Sequence, residues 1–175
     1  GRFRESIQEF NKGIKIIESA GEEDPQFSLY LKKIYVLLRQ GETEQAIREC
    51  DSELARSEKI GAVIRRIDAL LLKGMAQLKE NDLNSVKETH QQMKQLIDGF
   101  INPKKIRDYY LMGGMINIQE NNFEQGIRNL QKAVDLLPFE SSAFDYHGLI
   151  YYELAIAYFL AGELEKARVL FEKNT

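Results

Sequence analysis

Residues 107–138 read RDYYLMGGMINIQENNFEQGIRNLQKAVDLLP, and residues 148–174 read GLIYYELAIAYFLAGELEKARVLFEKN. Laid over one another, they put Tyr110 on Tyr151, Gly114 on Ala155, Phe123 on Leu164, Gly126 on Ala167 and Leu130 on Phe171. Moving the frame back by 40 residues meets Leu70, Gly74, Leu83, Val86, His90 and Met93. A further 40 back meets Tyr30, Ile34, Ala46, Ile47 and Cys50. The four units are therefore offset by 40, 40 and 41 residues. A fixed period of this size is the signature of one supersecondary unit stacked repeatedly. The chain start joins the pattern, because FRESIQEFNKGIKII (3–17) lies over FEQGIRNLQKAVDLL (123–137).

Within each unit apolar residues recur at spacings of three and four, which is helical. Short mid-unit turns (Gln40-Gly41-Glu42, Glu80-Asn81-Asp82, Glu120-Asn121-Asn122, Ala161-Gly162-Glu163) supply the Gly or Asn that ends one helix and lets the next fold back. Asp24-Pro25 and Asn102-Pro103 place a capping side chain before a proline at the first helical position, where its missing N–H does no harm. Ser142 with Asp145 reads as a capping pair before the last unit. No segment alternates with period two. The expected fold is all-α, a single array over 1–175 of about nine helices. It comprises an unpaired helix at 2–19 and helical hairpins at 25–58, 62–99, 103–138 and 142–175.

Composition narrows the function classes. The chain has 175 residues, 43% hydrophobic and 29% charged, which suits a globular domain that buries roughly 70% of its unfolded surface. The 24 basic and 27 acidic residues leave a net charge of −3, so no positive field recruits nucleic acid. No apolar run has the length of a membrane span and no signal peptide is visible, so a cytoplasmic protein without membrane contact is expected. One cysteine, Cys50, excludes an internal disulfide.

The repeats resemble the tetratricopeptide repeat family. The last unit carries most of that pattern in Tyr151, Leu154-Ala155, Tyr158, Ala167 and Phe171, and the unit before it has Tyr110, Gly113-Gly114, Ala133 and Pro138. Small residues let two helices approach and larger ones fill the gaps between them. The sequence departs from the family where Glu58 and Asp98 replace the terminal proline, and where Gln77 and Asn117 replace an aromatic. The period also exceeds the family's usual one of about 34 residues. Lengthened repeats of this kind are similar to those of peptide-sensing regulators. The resemblance implies a right-handed superhelical solenoid whose first helices line a concave side. Both ends read as cut, which predicts either an excised piece of a longer protein or a homodimer through an uncapped end.

Catalytic candidates are sparse. His90 and His147 are far apart in sequence, and His90 shares the inner row of the second helices with Phe10, Cys50, Leu130 and Phe171, which predicts packing. His147 beside Asp145 reads as a cap or surface residue. Cys50 has no base in register, so a small-hydrophobe role is expected. Gly113-Gly114 lacks the rest of a phosphate loop and fits helix contact instead. The basic groups Lys104, Lys105, Arg107 and Arg65-Arg66 are followed by Asp108 and Asp68, which predicts solvated mixed-charge faces. No catalysis, cofactor or metal site is expected.

One pattern stands out. On the first helices, three rows place one apolar residue per unit: Leu31, Leu71, Leu111, Tyr152; Tyr35, Met75, Met115, Ile156; and Leu38, Leu78, Ile118, Phe159. Their i, i+4, i+7 spacing merges them into one strip, rimmed by Arg39, Lys79 and Gln119. The opposite side (Tyr30, Ile34, Leu37; Tyr151, Ala155, Tyr158) is apolar too. Either tight curvature makes the strip bury itself, or it forms an open channel for a helix or peptide. The lysine and asparagine clamp that some family members use for chaperone C-termini is absent, with Leu31, Tyr35 and Leu71 in its places. The leading expectation is a protein-interaction scaffold that grips a protein or peptide partner. The alternative is a ligand- or peptide-sensing arm of a larger signalling or transcription regulator.

Overall fold

The computed structural model describes residues 2–20, 24–99, 105–137 and 147–173. Among these residues the chain is all-helical: α1 (Arg2–Ala20), α2 (Asp24–Gln40), α3 (Thr43–Lys59), α4 (Val63–Lys79), α5 (Leu83–Asp98), α6 (Ile106–Gln119), α7 (Phe123–Asp135), α8 (His147–Leu160) and α9 (Leu164–Lys173). Asp24 opens α2. Asn102-Pro103, Pro138, Ser142 with Asp145, and the His147 side chain lie outside the description.

The mid-unit turns share one geometry. Gly41 (φ 81°), Asn81 (58°), Asn121 (61°) and Gly162 (80°) each take the left-handed conformation. After each, the next backbone N–H donates to the carbonyl five residues back: Glu42 to Leu37 at 3.0 Å, Asp82 to Gln77 at 3.0 Å, Asn122 to Asn117 at 2.8 Å and Glu163 to Tyr158 at 2.8 Å. These are Schellman stops, and they satisfy carbonyls that a helix end would otherwise orphan. Gly61 (φ 67°) ends α3 in the same way, with Ala62 donating to Ser57 at 2.8 Å. The repeat period is thus set by where a residue tolerates positive φ.

Two compact units divide between Leu96 and Ile97, in the last turn of α5, where the sequence reads as one array. In the first unit α1 packs on α2, α2 on α3, and α4 on both α3 and α2. Lys33 (α2) pairs with Glu49 (α3) at 2.6 Å, Lys73 (α4) with Asp51 (α3) at 2.6 Å, and Thr89 (α5) donates to Gln77 (α4) at 2.8 Å. Gln77 stands where the repeat family has an aromatic, and its amide finds a buried hydroxyl there. In the second unit α6 packs on α7, and α8 on α6, α7 and α9. Gln131 (α7) donates to the Tyr158 hydroxyl (α8) at 2.8 Å. Among the described residues no helix is long and apolar enough to cross a membrane.

Candidate functional site

The three rows of the first helices do not form one continuous open channel. In the first row Leu31, Leu71 and Leu111 are 7%, 0% and 0% exposed, whereas Tyr152 is 50% exposed. In the third, Leu38 (1%) and Leu78 (7%) are buried and Phe159 is 54% exposed. Met75 is buried as well, Met115, Ile118 and Ile156 are half-buried, and Tyr35 is exposed. The expectation of a groove along all four hairpins is corrected here. Leu31, Leu38, Leu71, Met75, Leu78 and Leu111 are interior residues.

The physical reason is stacking. A first helix that is apolar on both sides uses one side against its own hairpin partner. The other side is available to the following hairpin, and α4 does pack alongside α2, as α8 does alongside α6. Ile118 turns towards its own partner helix, since a β-carbon on Gly126 would lie 2.5 Å from Ile118 Cδ1. At the rim, Arg39 and Lys79 are exposed and Gln119 is half-buried.

The open part lies on the last hairpin. Tyr152, Ile156 and Phe159 share one side of α8, and Tyr152 reaches Phe171 of α9 in an edge-on contact (ring centroids 6.0 Å apart, planes at 66°). Phe171 continues the second-helix row in which Cys50 and Leu130 are fully buried, yet it is only half-buried itself. Leu160, Leu164 and Val169 are exposed on the same hairpin. Around α8 from Tyr152, a shallow hollow of about 370 Å³ is lined by Leu154, Tyr158, Glu165, Lys166, Val169 and Leu170. Lys166 lies over the Tyr158 ring, 5.2 Å from its centroid, and pairs with Glu163, which raises the lysine pKa.

Burial, and next the neighbouring Asp51 carboxylate, push the Cys50 thiol far above the usual range, so it carries almost no thiolate. His90 is half-buried on α5. Asp108 is fully buried, with Lys105 Nζ at 3.1 Å and Arg107 Nε at 3.2 Å from its carboxylate oxygens. The solvated mixed-charge face expected there is instead a buried ion cluster, and Asp68 is buried too. Lys33 and Glu53 are buried ionic residues that the sequence did not flag; nothing in their spacing marks them. Among the described residues, no three His, Cys, Asp or Glu side chains gather as a metal cluster.

No family model and no curated protein matches the sequence. Among solved structures, the chain is similar to the crystal structure of BtubC (BKLC) from P. vanneervenii, with a TM-score of 0.65 at 12% identity. The match covers 99% of this chain and 72% of that one. What they share is the fold. It is an all-α, solenoid-like arrangement of helices.

Proposed function

We propose that this chain is a non-catalytic, tetratricopeptide-like interaction module that binds a partner polypeptide on the open face of its last hairpin. The carrying observation is the contrast within the first row, where Leu31, Leu71 and Leu111 are buried and Tyr152 is half open; in the third row Leu38 and Leu78 are buried and Phe159 is half open. Fully burying a side chain of this size is worth roughly 1.5–3 kcal/mol, so two half-open aromatics, Ile156 and Phe171 make a usable anchor. Aromatics held by a neighbouring ring lose little freedom when a partner covers them, which favours binding.

The test is selection of ligands from random peptide libraries against the whole chain. Ligands should be recovered whose binding is lost in Phe159→Glu and Tyr152→Glu and kept in Tyr35→Glu, with unchanged helix content in all three by circular dichroism. Ligands indifferent to both α8 variants, or none at all, would rule the reading out.

A further inference from the structure

The hollow on the last hairpin lies on the side of the hairpin before it: Tyr158, which lines it, accepts from Gln131 of α7 at 2.8 Å. The repeat register gives every hairpin a seam on this side. On α2–α3 the seam holds Lys33 and Glu49, paired at 2.6 Å. On α4–α5 Thr89 donates to Gln77 at 2.8 Å, and on α7 Gln125 donates to Asn129 at 3.2 Å. Glu49, Thr89 and Asn129 share one register position, and each bonds a polar neighbour there. In the last hairpin that position is Leu170, and Leu154, Tyr158 and Lys166 stand where Lys33, Gln77 and Gln125 stand. Leu170 has no hydrogen-bonding group to close the seam, and a space of about 370 Å³ remains. A following hairpin does not lie over this side. On α2–α3 and α6–α7, each with the next first helix packed against it, Arg48 and Arg128 stay exposed and Glu49 and Asn129 only half-buried.

We infer that this hollow is a binding site for a compact, uncharged apolar molecule built on an aromatic or alicyclic ring. The inference goes beyond the proposed function and does not rest on it, since Tyr152 and Phe159 lie on another side of α8. Leu154, Tyr158, Val169 and Leu170 offer the ligand hydrocarbon and an aromatic ring. Water held against them has few partners, so an apolar group that displaces it binds favourably. The absence of charge follows from the rim. Both charged lining residues are already matched, Lys166 by Glu163 and Glu165 by Arg168 at 3.1 Å. A charged ligand would give up its hydration without gaining an uncompensated partner. The size follows from the space, which falls at the lower end of small-molecule clefts, roughly 300–1,000 Å³.

The probe is indole, whose fluorescence is read without interference because the chain has no tryptophan. Saturable binding to the whole chain is expected, with methyl NMR shifts confined to Leu154, Val169 and Leu170. Binding should weaken at least ten-fold in Leu170→Asn, which installs the residue of the third hairpin. The same loss is expected in Leu154→Lys with Leu170→Glu, which rebuilds the Lys33–Glu49 pair across the seam. Phe159→Glu should leave binding unchanged. The methyl shifts need no variant, so they decide the matter even if a substitution unfolds the hairpin. Absence of saturable binding overturns the inference, as do shifts centred on Ile156 and Leu160. Indole binding that Phe159→Glu abolishes overturns it too, by placing the probe on the Tyr152 side. Indole-3-acetate or tryptamine binding ten-fold tighter than indole would overturn the uncharged class.

Discussion

Gly114 on α6 and Gly126 on α7 meet backbone to backbone: a β-carbon on either would lie 3.3 Å from the other's carbonyl oxygen. It would also lie 2.5 Å from a packed side-chain carbon, Leu130 Cγ for Gly114 and Ile118 Cδ1 for Gly126. The hairpin closes this tightly only because both positions lack a side chain.

Alanine should therefore harm these sites although it favours helix elsewhere. Its helix propensity gains about 1 kcal/mol over glycine, whereas overpacking costs about 1–3 kcal/mol, and buried Leu130 has little room to yield. Gly114→Ala is expected to destabilise the second unit in urea unfolding. Gly148→Ala, where a β-carbon meets nothing within 4 Å, serves as the control and should not. Equal effects at both positions would show that the close approach is unimportant.

Asp82 caps α5: the Ser85 backbone N–H donates to Asp82 Oδ1 at 3.0 Å. Hydrogen bonding from the Ser85 side chain first, and from its backbone next, holds the Asp82 carboxyl below the ordinary aspartate range. A folded pKa below the unfolded one means the stabilisation is full above the unfolded value and is lost as pH falls through the folded one. Asp82→Asn should keep most of the neutral-pH melting temperature and flatten its fall in acid, while Asp82→Ala should lower it at neutral pH. An unaltered acid limb in Asp82→Asn would remove this cap from the account.

Cys50 is enclosed, and its thiol resists ionisation. In native protein a thiol reagent at mildly alkaline pH should modify it several orders of magnitude more slowly than in urea, at the rate of local opening. Rapid native labelling would mean that the α2–α3–α4 seam opens readily.

Glu53 lies 1% exposed on α3. Its Oε1 accepts from the Ser57 hydroxyl at 2.8 Å, and its Oε2 has no hydrogen-bond donor, with Arg56 Nη1 3.9 Å away. Arg56 is engaged instead with Tyr30, donating to its hydroxyl at 2.7 Å. A buried carboxylate so poorly matched contributes little, so Glu53→Met should leave stability unchanged or raise it by up to about 2 kcal/mol in chemical denaturation. A comparable loss would show that the Arg56 pair stabilises the fold.

Much of this architecture could be read before any coordinates. Gly41, Asn81, Asn121 and Gly162 signalled the hairpin turns because positive φ is a local property of residue type. The assignment of Gly114 to helix contact was equally legible. The strip was legible only in part. Leu31 and Phe159 obey the same spacing rule, yet one is interior and the other open. The ion cluster around Asp108 was hidden for a related reason, since charged residues at a helix start look alike whether solvent or protein surrounds them.

The order of residues, by itself, determined the nine described helices and their period. Those features depend on interactions within a few residues along the chain. Packing alone decided which apolar surface is wall and which is door. Burial is conferred by whatever neighbour lies across the face, and α4 lies across α2 while, among the described residues, no helix lies across Tyr152 and Phe159.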